Sequence, residues 1–533
     1  MEKIVSLCKR RGFIYQSSEI YGGINGFWDY GPLGAELKRN VKELWWNAMT
    51  RLRDDVVGLE ATIIMSPEIW KASGHVDTFS DPMIDCKTCK GRFRADQTNE
   101  IPCPQKPSKM VADCHGEKTP PRAFNLMFQT YVGPVQDASA VAYLRPETAQ
   151  AIFAQFKNVL ETSRQKLPFG IAQVGKAFRN EVTPRNYTFR SREFEQMELE
   201  FFIKPDEVVE AIAGRVAGAD EVAPNSELRT PNSDWGWEAW HKYWVEERIR
   251  FYESIGLPRK TLVEYWQKPE ELAHYARATV DILYKFPFSK RDEKGELTGE
   301  ELEGVAARSD FDLSQHERFS GKPMGVFDEE LRVAWGKLDE AKKTELSKRY
   351  YETRLKYLTK TGVEQKQAEK EAREDAEGLA KGQYIPHVIE PSAGVDRLLL
   401  ALICNAYHED QMPDEKGKPE SRVVLQFHPR VAPIKAAVLP LLKNKPELVQ
   451  KAQEVHDRLR PHMNVFYDDA GAIGRRYRRQ DEAGTPFCVT IDFDTLGEKP
   501  ELRDTVTLRH RDDGRQERLA IGELLNWLLP KIR

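Results

Sequence analysis

Apolar residues recur at helical spacing between Pro32 and Arg53. Leu33, Leu37, Val41, Leu44 and Trp45 fall on one stripe, the pattern of an amphipathic helix. A strand is expected over Glu60–Met65 (EATIIM), stopped by Pro67. Periodicity fades among the Cys, Pro and Lys residues of 85–122, which read as an insertion. Strand-like and helical runs alternate tightly from Phe124 to Ile203, and a mixed, tryptophan-rich region extends from Pro205 to Asp312. A charged, strongly helical insertion covers about 328–381, and a charge-laced helix of this kind ordinarily presents a solvated face. The strand YIPHVIE then runs into EPSAGVDRLLLALI, an apolar helix that closes the first unit near residue 405. The polar segment His408–Ser421, rich in Pro and Gly, is the expected boundary between a unit of residues 1–410 and one of residues 421–533. Past it, RVVLQFHP, a helix over about Glu447–Leu459, NVFYDD and FCVTIDF alternate strand with helix, as in a small α/β domain.

Composition narrows the class. The 533 residues carry 80 Lys+Arg and 84 Asp+Glu, a net charge of −4, 40% hydrophobic and 10% aromatic residues, and a mean hydropathy of −0.61. At roughly 150 residues per domain there is room for three or four domains. The apolar run Leu398–Cys404 is far below the ~20 residues of a membrane span. MEKIVSLCKRRGF lacks the apolar core of a secretory signal, so no membrane is expected and a cytoplasmic location is. The charge balance disfavours a polycationic nucleic-acid binder but leaves RNA binding through local patches open. Seven cysteines do not make a disulfide scaffold. Cys86, Cys89, Cys103 and Cys114 cluster, and four thiolates are a ligand set for structural zinc. The wide spacing of the second pair, and His115 beside it, depart from the tighter Cys-x-x-Cys repeat.

Three stretches offer chemistry. Phe178-Arg179-Asn180-Glu181 ends a strand, a loop turns at Pro184 and Asn186, and a second strand returns with Phe194, Gln196, Glu198 and Glu200 on one face. Carboxylates inside a strand are costly unless they face water or a cation. The hairpin is therefore either solvent-facing or a surface that holds an anion with Arg179 and Arg190 and an ammonium with Glu198. In EPSAGVDR, Gly394 permits close approach to the backbone, and Arg397 offers a planar fork near a helix start, where it needs an anion. LRPETAQ places Pro146 and Glu147 where helices begin.

Their order resembles motifs 1, 2 and 3 of class II aminoacyl-tRNA synthetases. YGGINGFWDYGPLG, Trp70 with SGH to His75, FNLMFQT, LRPETAQ, FRNE, FRSREFEQMELEFF, HYARATVDI, ELEGVAARSDFDL, EPSAGVDR and GRRYRRQDEAGTPF resemble the glycyl-tRNA synthetases, specifically the single-chain homodimeric type. The resemblance implies an α+β fold, with an antiparallel-sheet class II catalytic domain and a C-terminal α/β anticodon-binding domain. It implies that glycine and ATP, with Mg2+, form glycyl-adenylate and pyrophosphate, and that glycine is then passed to the 3′-terminal adenosine of tRNA(Gly).

The positions that match the family's ATP contacts are Arg179, Asn180, Glu181, Phe189, Arg190, Ser191, Arg192, Glu193, Phe194, Glu301, Leu302, Gly394, Val395, Asp396 and Arg397. Arg179 and Arg397 match its catalytic arginines. Arg94, Glu147, Phe194, Glu195, Gln196, Met197, Glu198, Glu390, Pro391, Ser392, Ala393 and Gly394 match the glycine side. Glycine offers only an ammonium and a carboxylate, so such a pocket must grip both and leave no room for a methyl group. A non-catalytic relative would usually lack the ATP arginines, which are present here. Arg475, Arg476, Arg478 and Arg479 around Tyr477 read either as an RNA contact or as a helix start facing the catalytic unit.

Overall fold

The computed structural model describes residues 1–222, 233–273, 275–413 and 419–533. Its first unit is built on a seven-stranded sheet. The strands, in chain order, are β1 (Val56–Gly58), β2 (Phe169–Phe178), β3 (Glu193–Ile203), β4 (Leu262–Trp266), β5 (Ala278–Tyr284), β6 (Glu300–Ser309) and β7 (His387–Gly394). They lie side by side as β4-β5-β6-β7-β3-β2-β1, antiparallel throughout except for β1 on β2.

The strand β3 is central, and its period of two sorts the sheet into two faces. Met197, Leu199 and Phe201 pack against α1 (Pro32–Trp46) and α3 (Trp237–Ser254), with Phe201 ring centroids 4.8 Å from Trp240 and 5.1 Å from Trp244. Phe202 points the other way, into a second core with Phe153 and Phe156 of α2 (Ala149–Ser163) and Phe169 of β2. Glu198 and Glu200 share that second face and are buried, so the hairpin is not the solvent-facing alternative. The apolar helix after β7, α4 (Val395–Ala406), joins the first core.

One expected element differs. No strand forms over Glu60–Met65; the strand is β1, and Ile64 makes only an isolated bridge to Leu144. Side chains take the backbone groups that a ladder would have used. Arg145 donates to the carbonyls of Ala61 and Thr62 at 3.1 and 3.3 Å, and Gln173 Oε1 accepts from Ala61 N–H at 2.9 Å. Pro67 opens the next helix, Pro67–Ala72, with the Ser66 side chain as its cap.

The polar segment expected as the boundary, His408–Ser421, is largely a two-stranded ribbon, Tyr407–Pro413 against Pro419–Leu425; residues 414–418 of it lie outside the described residues. Arg422, fully buried, anchors that ribbon to Asp410 at 2.6 Å and to Asp481 of the C-terminal unit at 3.1 Å. A buried guanidinium shared by two carboxylates holds the ribbon against its neighbour, which polarity alone did not foretell.

The cysteine-rich insertion forms a small sheet, Arg92–Arg94, Ser80–Asp85 and Arg122–Asn125, over its own core of Ile84, Phe93, Ile101 and Val111. The charged insertion folds as helices Glu329–Lys337, Glu340–Lys360 and Gln365–Gly378. Its outward faces carry pairs such as Lys348–Glu352, but Leu346, Tyr350 and Ala376 enter the second core. Arg354 is buried between Asp310 and Asp375. The C-terminal sheet contains β8 (Ala436–Pro440), β9 (Val465–Tyr467), β10 (Phe487–Ile491), β11 (Thr505–His510) and β12 (Gln516–Ala520), in the order β9-β8-β10-β11-β12. No helix among the described residues is long and apolar enough to cross a membrane.

Candidate active site

The β2–β3 hairpin, the end of β7 and the start of β6 enclose a cavity of about 140 Å³. Arg179, just past β2, donates from Nε to Pro146 O at 3.0 Å, and its guanidinium lies 5.5 Å from the Phe79 ring and 5.3 Å from the Phe194 ring. Across the cavity Arg397, in the first turn of α4, lies 4.6 Å over the Phe189 ring and 3.1 Å from the Glu301 carboxylate. This is the anion that an arginine near a helix start needs. It also holds the Glu301 carboxyl below the usual carboxylate range, with Arg179 and Arg190 adding to the effect.

Arg190 stands 3.7 Å from Glu181. Neither Arg190 Nη1 nor Glu181 Oε2 has a hydrogen-bond partner among the described residues, although both atoms are buried. Polar atoms left open in a cavity wall are suited to a polar ligand. Two aromatic faces, three guanidiniums and one open donor in one cavity can take a purine with phosphates.

Behind Ser392 and Gln196 of the cavity wall the interior is acidic, and Glu147, Glu198 and Glu390, expected on the glycine side, lie there outside the cavity lining. Glu198 Oε2 accepts from Thr148 N–H at 2.9 Å and from the Thr148 hydroxyl, while Oε1 accepts from Ser392 Oγ at 2.7 Å and Gln196 Nε2 at 2.8 Å. The register Glu198↔Ser392 between β3 and β7 sets that last group of contacts. Burial, and then the charge of Glu147, raise the Glu198 carboxyl, against the pull of Thr148, Ser392 and Arg179.

Burial would also raise Glu147, but His75, 3.3 Å away, with Arg308 and Arg179, holds it well below the usual range. Glu390 is pushed up to about 8 by burial, although Arg308 donates to it at 2.8 Å. One carboxylate held ionised beside another held near-neutral suits a site that receives a cation.

The structure sorts the expected residues. Arg179, Glu181, Phe189, Arg190, Ser191, Phe194, Gln196, Glu301, Leu302, Ser392, Gly394, Asp396 and Arg397 line the cavity. Glu195 lies on the other face of β3, 2.8 Å from Lys42 and 3.2 Å from Lys38, and Met197, Ala393 and Val395 are in the apolar core. Arg192 bonds the carbonyls of Asn25 and Glu181, Glu193 pairs with Lys176, Asn180 N–H bonds Leu126 O, and Pro391 sits in the β6–β7 ladder opposite Val305. Arg94 is held by Asp81 at 2.8 Å and Asp96 at 2.7 Å.

Sequence reasoning missed Thr188 of the cavity wall and Thr148, His75 and Arg308 in the acidic interior behind it. The last three lie inside blocks already quoted for the resemblance, but nothing in their spacing marks which side chain turns inward.

Cys86, Cys89 and Cys114 share one small core, and Cys103 is buried. Cys86 lies near Cys89 and Cys114, and Cys103 near Cys114. Among the described residues, however, no three His, Cys, Asp or Glu side chains are set to hold a metal ion, so the cage that four thiolates would form is not closed.

Residues 133–226 match the tRNA synthetase class II core domain (G, H, P, S and T), and residues 435–531 match the anticodon binding domain. Over its whole length the chain is 45% identical to the glycine–tRNA ligase of Thermobifida fusca, covering 98% of that protein. It is 44% identical to that of Treponema denticola, covering 97%, and 42% identical to that of Thermus thermophilus, covering 99%. The chain belongs to the glycine–tRNA ligase family.

Within this glycine–tRNA ligase fold the arginines around Tyr477 are largely engaged inside the protein. Arg476 is buried and bonds the carbonyls of Pro440, Leu441 and Asp468; Arg478 pairs with Glu420 of the ribbon, and Arg479 with Asp468. Their helix, Ile473–Ala483, faces the ribbon and the N-terminal helix, where Glu482 pairs with Arg11 at 2.6 Å.

Proposed function

We propose that the protein activates glycine with ATP to glycyl-adenylate, releasing pyrophosphate, and transfers the glycyl group to the 3′-terminal adenosine of tRNA(Gly). The observation that carries this reading is one cavity lined by guanidiniums and aromatic rings, whose wall residue Ser392 donates to the buried Glu198 carboxylate, in a chain of the glycine–tRNA ligase family. Phe194 and Arg397 flank the adenine, Arg179 orients the α-phosphate against the glycine carboxylate, and Arg190 meets the outer phosphates. Glu147, Glu198 and Ser392 receive the ammonium. The attacking carboxylate needs no base, so fixed charges and alignment supply the rate.

Glu301 is the carboxylate at the phosphate end, half-exposed and kept ionised by Arg397, and it fits a Mg2+ ion arriving with ATP. When bound, that ion neutralises phosphate charge. Amino-acid-dependent pyrophosphate–ATP exchange across the twenty amino acids tests the reading. Exchange with glycine alone supports it, whereas exchange with another amino acid, or none from folded protein, overturns it.

The finer readings are proposals of the same kind. Two copies pair through the face of α1 and β1, next to which a cleft of about 1910 Å³ opens beside exposed Leu52 and Arg51. The protein works in the cytoplasm, in keeping with seven free thiols. The chain divides near the 407–425 ribbon into a catalytic unit and a tRNA-binding unit. Zinc at Cys86, Cys89, Cys103 and Cys114 is supported by the meeting of the four thiols and not by a closed cage. One zinc per chain in purified protein would establish it, and well under one would remove it.

A further inference from the structure

Behind Ser392 and Gln196 of the cavity wall, which both bond Glu198, the interior gathers more buried negative charge than the protein neutralises. Glu147 acts on Glu198, both act on Glu390, and Glu198, Glu390 and Asp312 act on Glu200. Arg308 is committed to Asp312 through two nitrogens, at 2.8 and 2.9 Å, and to Glu390 through the third. Arg179 and His75 face Glu147. Arg145 faces Glu198, but its donors go to the carbonyls of Lys176, Ala61 and Thr62. Among the described residues the further titratable neighbours are Tyr275, whose ring lies 3.8 Å from the Arg308 guanidinium, and His316, which contacts Gln150 at 3.0 Å.

Glu200 is the anomaly in this set. It is fully buried, and neither of its carboxyl oxygens has a hydrogen-bond partner among the described residues. The β3–β7 register runs through Glu198↔Ser392 and Phe201↔Ile389 without a shift, which sets Glu200 across from Glu390. Both lie on the face that carries Glu198. Two carboxylates in cross-strand positions, with one guanidinium that also serves Asp312, cannot both be ionised in a dry interior.

We propose that the cavity takes up the ammonium group of glycine in exchange for a proton held on the Glu198–Glu200–Glu390 set. The inference rests on the functional reading above and adds to it a linkage between substrate and proton. In the free protein Glu200 is neutral, and a further proton sits on Glu390, while Glu198 is filled by the donors of Thr148, Ser392 and Gln196. Burial and mutual repulsion raise all three carboxyls, Glu390 to about 8. An arriving ammonium supplies the missing positive charge next to Glu198. One carboxyl O–H bond then breaks and its proton leaves to solvent, so the charge of the set stays balanced.

The test is calorimetric titration of the full-length protein with glycine at neutral pH in phosphate and in Tris, buffers whose protonation heats differ. The expected result is release of close to one proton per glycine. The glycine Kd should fall about tenfold for each unit by which pH rises toward neutrality and level off above about 8, as release of one proton requires. Glycolate, which carries a hydroxyl in place of the ammonium, should release none. Glu390→Gln, checked for folding by its melting curve, should reduce the proton count and flatten the profile. Equal heats in both buffers with a flat Kd would overturn the exchange while leaving glycine as the substrate. Absence of glycine binding at every pH would overturn the functional reading and this inference together.

Discussion

Arg397→Lys separates charge from geometry at the adenylate end. Arg397 donates from Nη1 to the Glu301 carbonyl at 3.1 Å and lies the same distance from the Glu301 carboxylate. Its Nε reaches Phe189 O at 3.3 Å, and its plane stacks 4.6 Å over the Phe189 ring. Lysine keeps the positive charge, but its point-like ammonium cannot hold these directions at once or lie flat on the ring. Losing two charge-assisted contacts at about 1.5–2 kcal/mol each, discounted for a side chain one-quarter exposed, removes about 3 kcal/mol. If those contacts hold the nucleotide in the transition state, the rate falls about a hundredfold. Glycine-dependent pyrophosphate–ATP exchange at saturating glycine reads the loss, and a thermal melt confirms that the fold is intact. Exchange within about threefold of the unsubstituted protein would show that bulk positive charge suffices and would refute the geometric argument.

Two further outcomes follow from buried charges. Arg248→Met leaves Glu303, 2.7 Å away and equally buried, without its cation, and should cost about 3–5 kcal/mol; Arg248→Met with Glu303→Leu should recover most of that, and equal melting of the single and double variants would refute it. Glu390 carries a carboxyl raised from the ordinary range to about 8, so the native state binds more protons than the unfolded chain between about pH 4.5 and 8, and stability falls as pH rises through that window. Glu390→Gln removes the titration and should stabilise by up to about 1.4 kcal/mol per pH unit relative to the unsubstituted protein across it. Melting temperatures at the two ends of the window check this, and a pH-independent difference would refute it.

Much of the site was legible because its chemistry is local. Arg179 and Glu181 flank one strand end, and Gly394 and Arg397 flank one strand-to-helix turn, so short blocks carried them to the cavity that the structure shows. The family resemblance supplied their common purpose, which spacing alone left open. Neighbouring positions within the same blocks behave differently because a strand alternates: Gln196 and Glu198 face the cavity side, while Glu195 turns to Lys38 and Lys42 and Met197 enters the core. A block match marks both sets alike.

Hydrophobic periodicity by itself determined the long helix after Pro32, the strand-to-helix passage through EPSAGVDR and the α/β character of the C-terminal unit, because each buries one face set by its own spacing. Only the tertiary structure decided that Glu60–Met65 is not a strand, since Arg145 and Gln173, distant in the chain, satisfy that backbone. It likewise decided that the polar segment after residue 406 pairs into a ribbon around buried Arg422. It also brought Thr148, His75 and Arg308 to the acidic interior behind the cavity wall. Such contacts form between groups far apart in the chain, where local periodicity carries no information about which polar atom will meet which.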